Sequence, residues 1–271
     1  MGSGRGQVVR IGVVTDIHAT AENWPDTQRL LERVLETFAE QNVACVVELG
    51  DRINEASPEA DREMVCRVAA ALRRPGWPVF HLYGNHDTGY VGKEEQNALL
   101  GKAGAYEEAA VGHARLVLLD SMESVSGGPI SPQQLNWLEG RLAATARPTV
   151  VFCHHPLDEP DPAGHSYFSH HPEEIGVANA AAVRHVLERF PWVRAVVQGH
   201  VHRWSTRLLG EVAYVTVPPL GPSADGNRPE GAHAVVTLAG AAVHVALFDS
   251  RGLQLEWRAQ AAGSSWPAAW P

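Results

Sequence analysis

The sequence predicts an α/β fold, and three observations carry that expectation. Two β-branched runs, VVRIGVV at 8–14 and VACVVEL at 43–49, read as strands of a sheet covered on both faces. Between and after them, apolar residues recur at helical spacing. From residue 203 onward the texture changes to short alternating stretches, which read as antiparallel strands forming a second sheet.

Residues 25–41 form the first expected helix, because Pro25 suits a first turn and Leu30, Leu31, Val34, Leu35 and Phe38 share one face. A second helix covers 58–73, opening at Pro58 and closing near Arg73 and Arg74, ahead of Pro75-Gly76. PVFHLY at 78–83 is the third strand, so the order is strand, helix, strand, helix, strand, that of right-handed parallel crossovers. The stretch 93–112 gives little signal, whereas ARLVLLD at 114–120 is a clear strand. Ser131, Pro132 and Gln134 make a capping box for a helix through Leu142, and PTVVFCHH at 148–155 is the next strand. The polar segment 157–177 carries His165, His170 and His171, and such long loops are more often functional than idle. Asn179 then caps a helix to Phe190, and VRAVVQGH at 193–200 returns to the sheet. EVAYVTV at 211–217, HAVVTL at 233–238 and AVHVALF at 242–248 supply the alternating strands. The expected organisation is one domain over 8–258 with a tail at 259–271.

At 271 residues and 45 % hydrophobic content the chain can bury a large core. A formal net charge of −9 argues against a basic groove for a nucleic-acid polymer. No apolar run approaches the roughly 20 residues that cross a bilayer, and MGSGRG leads into the first strand without a signal-peptide pattern, so neither membrane nor export is expected. Cys45, Cys66 and Cys153 lie far apart and suit thiols in a reducing compartment, which makes the cytoplasm the expected location. Cys153 precedes His154 in a strand, so their side chains should face opposite ways and Cys153 should be core.

Chemistry concentrates in five short motifs: TDIH at 15–18, GD at 50–51, GNHD at 84–87, HHP at 154–156 and GHVH at 199–202. They present Asp16, His18, Asp51, Asn85, His154, His200 and His202 where hydrophobic strands end. Oxygen and imidazole donors without a thiolate suit a pair of divalent first-row ions better than a structural zinc. In an extended segment Asp16 and His18 leave one face, as do His200 and His202, so each pair is expected to grip one metal region. Gly50, Gly84 and Gly199 precede ligand candidates, where glycine permits φ > 0 or close backbone approach. Two cations about 4 Å apart repel unless an anion lies between them, and Asp51 is the candidate bridge.

This ordered set, DxH, GD, GNHD, a later His and GHxH, resembles the calcineurin-like metallophosphoesterases from about residue 10 to 205. The resemblance implies a four-layer αββα sandwich of two mixed β-sheets flanked by helices, with two divalent metal ions (manganese, iron or zinc). It also implies that Asp16, His18 and His202 hold one ion, Asn85, His154 and His200 the other, and Asp51 both. His86 matches the family histidine that serves the phosphate or the leaving oxygen, and Asp87 is expected to orient it. Attack would come from hydroxide held at the metals.

The chain is similar to bacterial cyclic-nucleotide and glycerophosphodiester phosphodiesterases of that family, so a small phosphodiester is the expected partner. Phosphomonoesters, or ADP-ribose and CDP-alcohol pyrophosphates, are the alternatives, the last because of LLDSMESVSGGPISPQQLNWL. A non-catalytic scaffold of the same fold usually lacks a ligand or the GNHD histidine, and this chain lacks none. Arg52 either reaches a phosphate or is a solvated side chain; His155 either joins the site or caps its loop. His165, with His170 and His171, is a candidate pocket-lining residue. His81, His113, His185, His233 and His244 are expected to be structural, and Trp204 is the one tryptophan placed to stack on substrate. Antiparallel edge strands after 205 and the Trp-rich tail are reasonable homodimer surfaces.

Overall fold

A computed structural model describes residues 8–221, 231–240 and 242–260. β1 (Val8–Val14), β2 (Cys45–Glu48) and β3 (Val79–His81) run parallel, joined by α1 (Trp24–Glu40) and α2 (Pro58–Arg73). On the other side of β1 lies an antiparallel meander of β10 (His233–Ala239), β11 (Ala242–Asp249) and β12 (Gly252–Gln260). The second sheet has a parallel centre of β5 (Ala114–Leu118), β6 (Thr149–Cys153), β7 (Val193–Gln198) and β9 (Val212–Thr216). β4 (Glu107–Val111) and β8 (Ser205–Leu209) close its two edges in antiparallel sense. Both sheets are therefore mixed, with six strands each among the described residues.

Period-two alternation sorts the strand residues between layers. Val9, Ile11 and Val13 of β1 meet Leu116, Leu118, Val150, Phe152 and Val197 of the other sheet to form the core between the sheets. Val14 and Val46 face outward against Leu31, Val34 and Phe38 of α1 and Val65, Val68 and Leu72 of α2. Gly12 is small because Phe38 lies on it; a Cβ there would sit 2.7 Å from the ring. Val117, Val151 and Val196 face α4 (Pro132–Ala144) and α5 (Ala180–Glu188) through Leu138, Leu142, Val183 and Leu187. Helix, sheet, sheet, helix is thus the order of layers. Cys153 lies in the outer core, where burial pushes its thiol up to about 12.

Several local expectations change. The alternating strands after 203 do not form a sheet of their own: β8 and β9 extend the second sheet, and β10 to β12 extend the first. Alternation identifies a strand but carries no information on its partner. Ser131 caps α4 by accepting from Gln134 N, but the Gln134 side chain turns away to hold both backbone groups of Asp120. Only half of the capping box forms. Asn179 likewise spends its amide on the backbone of Ile130 instead of capping α5. The weak stretch 93–112 holds α3 (Lys93–Leu100) and β4. β12 continues to Gln260, two residues into the expected tail, and SSWPAAWP lies outside the described residues. No helix among the described residues is long and apolar enough to cross a membrane.

Candidate metal centre

The seven ligand candidates all follow the C-terminal ends of parallel strands, where an open α/β sheet exposes its crevice. Asp16 and His18 follow β1, Asp51 follows β2, Asn85 follows β3, His154 follows β6, and His200 and His202 follow β7. The backbone there is not extended. Asp16, His18, Asp51, His200 and His202 have φ of 50°, 49°, 51°, 70° and 50°, all in the left-handed region. Each such residue costs roughly 1–3 kcal/mol, and packing must offset it. Asp16 N and His18 N donate to Gly50 O and Asp51 O, and Gly199 N donates to His154 O, so the loops lock one another.

Glycine provides the close approach. A Cβ at Gly84 would lie 2.1 Å from Asp51 Oδ1, and one at Gly199 would lie 2.2 Å from Thr15 Oγ1. Gly50 combines φ of 111° with a virtual Cβ 2.4 Å from Gly84 N.

The structure brings all seven side chains into one cluster. His202 Nε2 lies 3.1 Å from Asp16 Oδ1 and 3.1 Å from His18 Nε2. His154 Nε2 lies 3.4 Å from Asp51 Oδ2 and 3.3 Å from Asn85 Oδ1, and His200 N donates to Asp16 Oδ2. His18 Nε2 reaches to 3.9 Å from Asp51 Oδ2, which places Asp51 between the two groups. Three histidines have their outer nitrogen fixed by an acceptor. His18 Nδ1 donates to Asn54 Oδ1, His154 Nδ1 to Leu49 O, and His200 Nε2 to Glu174 O. The remaining nitrogen of each faces the cluster, where it can offer its lone pair to a metal, which is how protein scaffolds prepare imidazole ligands.

This donor set fits divalent cations. Two buried carboxylates and facing imidazole nitrogens are the oxygen and nitrogen donors that first-row divalent ions take. Burial would raise the Asp51 carboxyl, but His154, with His18 and His86 behind it, holds it well below the usual carboxylate range. Asp16 is lowered in the same way, against burial, by His202 and His154. The reciprocal effect pushes His154 up to about 9, whereas burial and the charge on His154 press His200 down to about 3. A proton on His154 thus partly fills the place of a cation.

Other expected site residues sit differently. His86 is partly exposed beside His18, their ring centroids 5.0 Å apart, and its backbone N–H donates to Asp51 Oδ1. Its ring partner is not Asp87: His86 Nδ1 pairs with Glu55 Oε2 at 2.6 Å. Asp87 is fully buried and accepts from Asp51 N, Arg52 N and Gly84 N, clamping the two ligand loops together. Burial pushes its carboxyl up to about 6 in spite of Arg52. Arg52 is neither solvated nor aimed at substrate. It is fully buried, with Nε on Glu48, Nη1 on Gln96 and Nη2 on Leu82 O. His165 lies one ring removed from the centre. Its Nδ1 accepts from Tyr167 N and Phe168 N, and it packs on Phe168, which in turn lies 4.9 Å from His200.

Sequence reasoning misses Asn54, Glu55 and the Glu174 carbonyl. Asn54 and Glu55 stand three and four residues beyond Asp51, and that offset is the available signal. Nothing local marks a carbonyl.

Comparison with known proteins places the chain in a family. The sequence profile of the family described as "Calcineurin-like phosphoesterase" matches residues 9–204. The chain is 30 % identical over 226 residues to the 3',5'-cyclic adenosine monophosphate phosphodiesterase CpdA of Escherichia coli K12, covering 74 % of each. It is 28 % identical to the Pseudomonas aeruginosa protein of the same name over 76 % of this chain and 74 % of that one. In fold it is similar to a dimetal phosphatase from Danio rerio, with TM-score 0.72 at 17 % identity over 94 % of this chain and 99 % of that one. GAP50, the anchor in the inner membrane complex of Plasmodium, follows with TM-score 0.67 at 14 % identity, over 94 % and 89 %. The chain belongs to the calcineurin-like phosphoesterase family and is a metal-dependent phosphoester hydrolase.

Proposed function

We propose that this hydrolase is a phosphodiesterase for small phosphodiesters, cyclic nucleotides foremost, and that it uses two divalent ions drawn from manganese, iron and zinc. The likeness to cyclic-nucleotide phosphodiesterases, extending over three quarters of the chain, carries the substrate class. The inward turn of Arg52 supports it: a diester brings one negative charge to the centre, while a monoester near neutral pH brings almost two and gains more from a guanidinium.

Asp16, His18 and His202 would hold one ion, Asn85, His154 and His200 the other, and Asp51 both. When bound, the ions supply Lewis acidity and lower the pKa of water. His86 serves the phosphate or gives a proton from Nε2 to the leaving oxygen, since Glu55 occupies Nδ1. Burial alone would depress its pKa, but the Asp51 and Glu55 carboxylates outweigh that and raise it. Bound cations offset the Asp51 part; the Glu55 part remains. The cysteines are free, which supports a reducing compartment such as the cytoplasm.

The test is a panel of 3',5'-cyclic AMP, bis(4-nitrophenyl) phosphate, 4-nitrophenyl phosphate and ADP-ribose, on protein of known manganese content. Cyclic AMP and the bis-ester should turn over well above the monoester. Brisk monoester cleavage without diester turnover would overturn the assignment, and AMP release from ADP-ribose as the leading activity would replace it with a pyrophosphatase.

A further inference from the structure

We propose that His155, pinned between Ser121 and Ser126, is a positioning residue for one half of the centre, the half built on His154 and His200. The inference rests on the two-ion reading above. His155 is fully buried, and one of its ring nitrogens lies within 4.8 Å of a ring nitrogen of both His154 and His200, so a third ligand is the first thing it suggests. Its hydrogen bonds argue otherwise. Nδ1 lies 2.8 Å from Ser121 Oγ and Nε2 lies 3.2 Å from Ser126 Oγ. Ser121 Oγ also accepts the His155 backbone N–H, so it holds both the main chain and the ring of that residue. In either tautomer one serine hydroxyl donates to the ring and the other accepts from it. Both nitrogens are then spent, and no lone pair faces the centre.

What remains for the ring is contact. Its centroid lies 4.2 Å from that of His200, tilted by 50°, and 4.9 Å from that of His154 in edge-on geometry at 84°. His154 and His200 are 5.1 Å apart, so His155 fills the third corner of an imidazole triangle. His200 is thereby confined on three sides: by His155, by Phe168 and by its bond to Glu174 O. Rotation of the His200 ring away from the centre would have to displace His155, whose two serine bonds resist it.

The effect should be one-sided. His18 is fixed by Asn54 and His202 faces Asp16, so the anchors of the other half do not involve His155. Ser121 and Ser126 follow β5, inside the LLDSMESVSGGP segment, and Asp120 ties that segment to Gln134 and Lys93. The segment thereby sets the angle of a metal-binding imidazole from outside the ligand set.

The experiment is manganese titration of the metal-free protein by calorimetry and by electron paramagnetic resonance of the free ion. His200→Ala and His202→Ala identify which site is which. His155→Ala and the double variant S121A/S126A should each leave the His202 site within about twofold of wild type. They should weaken the His200 site on the order of 10–100-fold, the range for residues that orient metal ligands. Wild-type affinity at both sites, or equal weakening of both, would overturn the proposal. If His155→Ala fails to fold, the serine double variant decides, because it keeps the ring and removes its anchors, along with the Ser121 acceptor of the His155 N–H. A wild-type protein binding fewer than two ions would instead sink the two-ion reading, and this inference with it.

Discussion

A proton donor at the leaving oxygen must be presented in one direction, and for His86, the proposed donor, Glu55 fixes Nδ1 and helps to raise the pKa. His86→Ala should therefore lower kcat for cyclic AMP by roughly 10²–10⁴-fold, and Glu55→Gln by about 10-fold, because the amide keeps the hydrogen bond and loses the charge. Both variants should keep wild-type manganese content, since the link from position 86 to Asp51 runs through the backbone N–H. Loss of metal in His86→Ala would move that histidine into the ligand set. Gly84 is a residue whose lack of a side chain the centre uses directly. An added methyl would stand 2.1 Å from Asp51 Oδ1, and the carboxylate is fixed there by His86 N. Gly84→Ala should therefore reduce metal content and cost at least about 100-fold in rate, as small misplacements at a reacting centre do. Gly92→Ala, which meets nothing within 4 Å, is the control and should stay within about twofold.

At the scale of elements, the ends and edges hold the testable energetics. Ser131 is the only half of its capping box that works, and Ser131→Ala should cost about 1 kcal/mol in urea unfolding, with m unchanged. β10 carries a second dependence. His233 is stacked on Phe248 and set edge-on to Phe38, its Nδ1 bonded to Gly231 O, and burial presses its pKa down to about 4. The unfolded chain takes up that proton near pH 6.5, so stability is intact above 6.5 and falls as the pH drops to about 4, by about 3 kcal/mol. His233→Phe should flatten that slope in chemical unfolding at pH 7 and pH 4.5; an unchanged slope would place the titration elsewhere. The same contrast between local and distant causes explains what the sequence disclosed. α1 and α2 were readable almost to the residue, because Pro25, Pro58 and the apolar spacing act within a few residues. All seven cluster members could be picked out because each follows a hydrophobic strand. Their left-handed backbone could not, since it depends on loops crossing from β2 and β7, and neither could the burial of Arg52 on Glu48 and Gln96. Which strands flank β1 was equally hidden: the partner of Val13 is Ala234, more than two hundred residues away.

For the molecule as a whole, the centre is also a fastening between the two sheets. Asp16, Asp51 and Asn85 come from the first sheet, His154, His200 and His202 from the second, and their contacts bind one end of the sandwich. The unfolded chain cannot assemble that cage, so ions that bind it stabilise the fold by RT ln(1 + [L]/Kd), about 2.7 kcal/mol at a hundredfold excess over Kd. For a chain of this size that corresponds to a rise in Tm on the order of 5–10 °C. Without ions the two buried carboxylates have only the neighbouring histidine rings to face. Scanning the protein in excess chelator and then with manganese restored should show that rise, and the rise should vanish in Asp51→Ala, which also loses turnover. An equal rise in Asp51→Ala would mean that the ions bind elsewhere, the His171, Glu173 and Glu174 group being the first place to look. No rise in either protein would mean that the cage does not close on metal, and the hydrolytic assignment of these seven residues would fall with it.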